Sequence, residues 1–237
     1  MGAIVDIKAD GASVTGYMAL PASGKGPGIL LMHAWWGLNG FFKSLADRLA
    51  NEGFVVLAPD LYDGKTASAI DGAQELINSL DSRYKEAIKQ EVAALDYLLQ
   101  HPALTGDKVG AIGFSMGAGY AGWLAALRSE IAAVVFFYGG SEVGFYVGSD
   151  QNYANQTEAA FLGHFAEGDE WEPEEGVKQL ETQLRAAGRE ANFHLYSDAG
   201  HWFFEDDRPD VYNPEAAQLA WDRTVSFFRD KLVGISD

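Results

Sequence analysis

Gly113-Phe114-Ser115-Met116-Gly117 sets one hydroxyl between two glycines, where an apolar run meets a run of small residues. Val109, Ala111 and Ile112 read as a short buried strand leading in, and Met116 to Leu127 as a helix leading out. A serine at such a strand-to-helix turn is held in a strained backbone with its hydroxyl pushed out of the sheet edge. The glycines keep side chains away where the turn passes its neighbours. The helix start adds N–H groups and a partial positive charge beside the hydroxyl, which suits an alkoxide and the oxyanion of an acyl-transfer intermediate. In a chain with 27 glycines the pattern alone is weak, so its surroundings must carry the assignment.

Serine needs a base within hydrogen-bond reach, and the base needs an orienting group. Asp169, in Glu167-Gly168-Asp169-Glu170, and His201, after Ala199-Gly200, complete the order Ser115, Asp169, His201. This is the chain order of α/β-hydrolase triads. Each of the three follows the C-terminal end of an expected strand, where sites form in open parallel sheets. The other histidines are expected elsewhere. His101 precedes Pro102 at the surface, His164 and His194 lie inside strands, and His33 braces the loop after its strand. The Met116 N–H is the expected first oxyanion donor, and the second is expected within Ala34-Trp35-Trp36-Gly37. No motif requires a metal or an organic cofactor, and none is expected.

The elements that must position these residues are legible as alternation. Ile4 to Ala9 and Ser13 to Leu20 read as a hairpin turned by Asp10-Gly11. Gly28 to His33 and Phe54 to Ala58 read as buried strands, the second ended by Pro59. Phe41 to Asn51 has helical spacing, and Ser82 to Gln100 reads as a long amphipathic helix with Ile88, Val92, Leu95 and Leu99 near one face. The segment between Pro59 and Ser82 reads as a polar loop. After the serine turn and its helix come strands at Ala132 to Tyr138, Ala159 to Phe165 and Asn192 to Tyr196, and an irregular stretch from Gly139 to Thr157. Helices are expected at Pro173 to Ala187 and from Asn213-Pro214-Glu215 onward, with asparagine as cap and proline in the first turn. Strand–helix alternation demands a mainly parallel sheet with helices on both faces. The fold class is therefore α/β, with an added N-terminal antiparallel hairpin, in one domain over residues 1–237.

Bulk properties narrow the function. The chain has 237 residues, 48% of them hydrophobic, enough to build a core. It has no cysteine, which excludes disulfides, thiolate catalysis and cysteine metal sites. Its formal net charge is −17, from 17 basic and 34 acidic residues. Such a surface repels phosphate backbones and anionic lipids, so no nucleic-acid or membrane partner is expected. Met1 to Lys25 lacks a basic start followed by an apolar core, and no apolar run reaches spanning length, so a cytoplasmic location is expected.

Four segments together resemble the dienelactone hydrolase family over about Gly28 to Phe228. They are His33-Ala34-Trp35-Trp36-Gly37-Leu38-Asn39, Gly53 to Tyr62 with its Pro-Asp-Leu-Tyr end, Val109 to Gly117, and Ala199-Gly200-His201-Trp202-Phe203. The resemblance implies an α/β-hydrolase fold without a large lid, and hydrolysis of esters or lactones through an acyl-enzyme. It places Ser115, Asp169 and His201 in the triad and the Trp35 and Met116 peptides in the oxyanion hole. It also marks departures. The best-known members carry cysteine at position 115 and glutamate at position 34, where this chain has Ser115 and Ala34. An arginine that grips the substrate carboxylate would fall at Glu205, and Arg208 is out of register with it. Glu205, Asp206 and Asp207 are expected to repel such a carboxylate.

Trp35, Trp36, Tyr138, Trp202 and Phe203 are the expected aromatic lining of a pocket for a neutral acyl or alkyl group. The expected protein is a serine hydrolase of a small ester or lactone, as a monomer or small homo-oligomer. Acyl transfer to a nucleophile other than water, and a sensor that keeps the fold without turnover, are the competing readings.

Overall fold

β1 (Ala3–Ala9) and β2 (Ala12–Ala19) form an antiparallel pair, in register from Ala3↔Met18 to Ala9↔Ala12, with Ile7 and Val14 buried opposite each other. The computed structural model describes residues 1–9, 12–141 and 153–233. The expected Asp10-Gly11 turn lies outside the described residues, as does most of the irregular stretch after Gly139.

Two compact units make up the chain, Met1–Val109 and Gly110–Asp237. In the first, β3 (Gly26–Met32) and β4 (Val55–Asp60) are the buried strands expected from their continuous apolar runs. The strand order there is β1-β2-β4-β3, followed by the first part of β5 (Leu104–Phe114). β4 runs parallel to β3 and antiparallel to β2. It does not stop at Pro59, as its sequence suggested. Its register with β3 ends at Leu57, while pairing with β2 continues through Pro59 and Asp60. A strand paired on one side tolerates a residue that lacks an N–H.

Helix α1 (Gly40–Asn51) starts at Asn39, whose Oδ1 accepts from Phe42 N at 3.2 Å. The supposed polar loop contains a second helix, α2 (Ile70–Asp81). Its Ile70, Ala73, Leu76, Ile77 and Leu80 fall at helical spacing, with Ala73 and Leu80 buried, which is the pattern of a helix and not of the expected loop. Helix α3 (Tyr84–Leu99) packs against β1 and β2. Its buried face runs through Ala87, Gln90, Glu91, Ala94, Leu95 and Leu98, so the expected Leu95 lies on it, while Ile88, Val92 and Leu99 are only half-buried. The expected stripe is thus rotated toward the alanines, whose small side chains let the helix approach the sheet.

In the second unit, the latter part of β5 is followed in the sheet by β6 (Ile131–Phe137), β7 (Ala160–Ala166) and β8 (Ala191–Tyr196). The pairs β6–β7 and β7–β8 are parallel. β5 is longer than the three apolar residues that marked it, because its first half is largely exposed and polar. Helix α4 (Met116–Leu127) buries nine consecutive residues from Gly117 to Ala125. Helices α5 (Glu174–Ala186) and α6 (Pro214–Val233) complete the unit. Asn213 caps α6 as expected, its Oδ1 accepting from Ala216 N at 3.1 Å. Element order and strand order are those of an α/β-hydrolase fold, with a mainly parallel sheet, helices on both faces and the antiparallel hairpin at the N-terminal edge.

Burial of Glu91 creates a stability cost that depends on pH. Its carboxylate oxygens have no hydrogen-bond partner among the described residues, and burial pushes its pKa up from 4.5 to about 8. The unfolded chain ionises this group at lower pH than the folded chain does. Folding therefore takes up a proton between about pH 4.5 and 8, and stability falls as pH rises through that window. Glu91→Gln is expected to remove this slope. Its unfolding free energy relative to the parent should rise between pH 5 and 8 by on the order of 1 kcal/mol per pH unit. Denaturant melts with the same pH slope in both proteins would show that Glu91 is not buried as an acid.

Candidate active site

The backbone of Ser115 has φ 49° and ψ −116°, outside the regions that non-glycine residues ordinarily occupy. Two close approaches hold it there. Ser115 N donates to Phe137 O at 2.9 Å, tying the turn to the end of β6, and Ala118 N donates to Ser115 O at 2.9 Å as α4 begins. A Cβ on Gly113 would lie 2.2 Å from Gly117 O. One on Gly139 would lie 2.3 Å from Ser115 O and 2.8 Å from its Cα. The first glycine belongs to the motif. The second, just past β6, was not legible, because only the fold brings it against the serine.

Three strand ends of the second unit deliver the side chains. Ser115 follows β5, Asp169 lies three residues past β7, and His201 lies five past β8. Ser115 Oγ is 3.1 Å from His201 Nε2, and His201 Nδ1 is 2.7 Å from Asp169 Oδ2. Asp169 Oδ1 accepts from Trp171 N at 2.8 Å and from Glu172 N at 3.2 Å. An ionised carboxylate only accepts, so Nδ1 carries the imidazole proton and Nε2 is left to receive the serine's. The His201 and Asp169 side chains are only 6% and 1% exposed, so their hydrogen bond is shielded from water. Positive φ at Gly168 (69°) and Asp198 (58°) turns both loops sharply out of their strands.

Aromatic rings enclose the imidazole. Tyr138 lies 5.0 Å from it, Trp202 4.7 Å away edge-on, and Trp171 6.2 Å away. Trp171 is 52% exposed and marks the solvent side, whereas Tyr138 and Phe203 are fully buried. Trp35 and Trp36 belong to the first unit, where their rings meet edge-on at 5.2 Å.

The remaining histidines have other partners. His33 donates from Nδ1 to Ala34 O at 2.7 Å and accepts at Nε2 from Leu61 N at 3.3 Å. It braces the turn after β4, and burial keeps its pKa below the usual value. His164 is fully buried, with Tyr196 Oη at 2.9 Å and Thr224 Oγ1 at 3.1 Å, and burial holds it neutral. His101 Nδ1 accepts from Ala103 N at 3.2 Å. Burial also lowers the pKa of His194.

Glu205 departs from its expected behaviour. It was expected to repel a substrate carboxylate. Instead it has no exposed surface, accepts from Tyr138 Oη at 2.7 Å and pairs with Arg208 Nε at 3.1 Å. Burial raises its pKa to about 7, against the opposing effects of Tyr138 and Arg208. Asp206 and Asp207 remain exposed. Among the described residues, no cluster of three or more His, Asp or Glu could hold a metal ion, and no helix is long and apolar enough to cross a membrane.

A methyl group at Gly139 would force the serine turn aside. Gly139→Ala is expected to lower ester turnover on the order of a hundredfold at temperatures where the variant stays folded. Parental rates with an unchanged melting temperature would show that the turn does not depend on that approach.

The model of the dienelactone hydrolase family matches residues 14–232. The protein usf of Aquifex pyrophilus is 33% identical over 237 residues, covering 98% of this chain and 100% of its own. A probable 2-oxo-3-(5-oxofuran-2-ylidene)propanoate lactonase of a Bradyrhizobium species is 32% identical over 238 residues, covering 97% and 94%. Among solved structures, a dienelactone hydrolase-like promiscuous phosphotriesterase from metagenomic libraries superposes with a TM-score of 0.84 at 22% identity, covering 98% of each chain. With its serine turn intact and its motifs matched along almost the whole length, the chain belongs to the dienelactone hydrolase family.

Proposed function

We propose that this hydrolase cleaves a small, neutral carboxylic ester or lactone through an acyl-enzyme on Ser115. The observation that carries the reading is the unbroken hydrogen-bonded chain from Ser115 through His201 to Asp169. In this reading His201 Nε2 takes the hydroxyl proton as Ser115 Oγ attacks the carbonyl carbon. Asp169 holds the ring and stabilises the imidazolium. The same proton then passes to the departing alkoxide, and the acyl group stays on Ser115. A water molecule, deprotonated by His201, repeats the sequence and releases the acid.

The Met116 peptide, first in α4, is the proposed donor to the oxyanion. The Trp35 peptide is the proposed second donor on the motif match alone. Trp35, Trp36 and Trp202 are proposed to line the acyl or alkyl site, with Tyr138 and Phe203 backing the imidazole. Two things favour a neutral substrate. No arginine stands at position 205, and the nearby Arg208 is paired with Glu205. The Bradyrhizobium relative, by its name a probable lactonase of a propanoate, supports lactones among the substrates, and the anionic members of the panel below decide between a carboxylate-bearing lactone of that kind and a neutral one.

Ser115→Ala should lower turnover of short p-nitrophenyl esters at least about a thousandfold and abolish labelling by a fluorophosphonate, with the melting temperature nearly unchanged. A panel of neutral and anionic esters and lactones, with a phosphotriester for comparison, tests the substrate class. Turnover retained in Ser115→Ala, or turnover of the phosphotriester alone, would overturn the proposal.

A further inference from the structure

We propose that Tyr138 and Glu205 form a buried clamp that positions His201 for proton transfer, a role that rests on the hydrolase reading above. Tyr138 is the first residue past β6, with φ 37°, and its N–H donates to His164 O at 2.8 Å. Its backbone is therefore fixed to the sheet in a conformation that costs energy for a tyrosine. The ring then lies 5.0 Å from the His201 imidazole and 5.7 Å, edge-on, from Phe203. The phenol oxygen continues past both and donates to Glu205 Oε1 at 2.7 Å.

Glu205 belongs to the same loop as His201. That loop is folded on itself by Phe203 N to Gly200 O (3.1 Å), Glu205 N to Trp202 O (2.9 Å) and Arg208 N to Glu205 O (3.1 Å). One hydrogen bond from the sheet to Glu205 thus anchors the loop that carries the base. Asp169 fixes one atom of the ring. The Tyr138 ring, tilted 54° to the imidazole, and its anchor restrict the tilt about that point, which sets the 3.1 Å approach of Nε2 to Ser115.

Stability alone is a poor explanation for this pair. Glu205 is fully buried, and hiding a carboxylate costs more than an apolar pair of similar volume would. Arg208 offsets part of that cost through Nε at 3.1 Å. What the polar pair adds is direction, because a hydrogen bond fixes an angle and a distance that apolar packing leaves loose. No hydrogen bond links Glu205 to Ser115 or His201 among the described residues, so it acts through Tyr138 as a positioning residue.

Three variants test this in the full chain, with p-nitrophenyl acetate as substrate and near-ultraviolet circular dichroism to check folding. Tyr138→Phe keeps the ring and removes the phenol donor. Glu205→Leu removes the acceptor, and Glu205→Gln keeps an acceptor oxygen at the same reach. The clamp predicts that Tyr138→Phe and Glu205→Leu lose about tenfold or more in kcat with KM within about twofold, whereas Glu205→Gln stays within about threefold of the parent. Tyr138→Phe alone decides the matter if Glu205→Leu fails to fold. Parental kcat in Tyr138→Phe, or a loss in Glu205→Gln as large as in Glu205→Leu, overturns the clamp while leaving the hydrolase reading intact. A parent that neither turns over the ester nor labels at Ser115 overturns the hydrolase reading and the clamp together.

Discussion

One strained residue organises the site. At φ 49° and ψ −116°, Ser115 occupies a conformation that costs of order 1–3 kcal/mol, and it persists only because its surroundings allow no other. The Phe137 carbonyl takes its N–H, the first turn of α4 takes its carbonyl, and glycines at 113 and 139 leave no atom where a side chain would collide. The strain lifts the hydroxyl out of the sheet edge toward an imidazole that arrives 86 positions later. A relaxed serine would lie within the strand or the helix, and the histidine and aspartate would have nothing to activate.

Three buried carboxylates show how surroundings decide what burial means. Asp169 accepts from two peptide N–H groups and one imidazole, so its charge is solvated by the protein itself. Glu205 has one phenol and one guanidinium, and its pKa is raised to about 7. Glu91 has no hydrogen-bond partner among the described residues, and burial raises its pKa to about 8. Glu205, with two donors, is raised less far than Glu91, since burial opposes the charge and each donor favours it. Asp169, with donors on both oxygens, is the one placed to orient a histidine.

Residues that contact each other through local periodicity were the readable ones. The helix after Ser115, the Asn213 cap and the buried strands matched their patterns because the apolar face or the capping side chain lies within a few positions. Helix α2 is legible too, since Ile70, Ala73, Leu76, Ile77 and Leu80 recur at helical spacing, and a polar-loop reading overlooks that stripe because Gly, Gln, Asn and Ser stand between its members. The buried face of α3 keeps the expected Leu95 but is turned toward Ala87, Gln90, Glu91, Ala94 and Leu98, because small and polar side chains share it with the leucines. Order along the chain was enough to name Ser115, Asp169 and His201, since such a sheet brings successive strand ends to one edge. Glu205 was misjudged, because charge alone does not reveal that a phenol 67 positions away turns a carboxylate inward.

The amino-acid sequence by itself determined the chemistry available: a hydroxyl in a glycine-flanked turn, a histidine and an aspartate past later strands, and no thiol at all. Tertiary structure alone decided how closely the His201 imidazole approaches the hydroxyl, why Gly139 must lack a side chain, and that Glu205 faces Tyr138. The division has a physical cause. Residue type and local spacing set propensity and reactivity. Distances of 3.1 and 2.7 Å between side chains far apart in the chain exist only once sheet pairing has fixed where each strand ends.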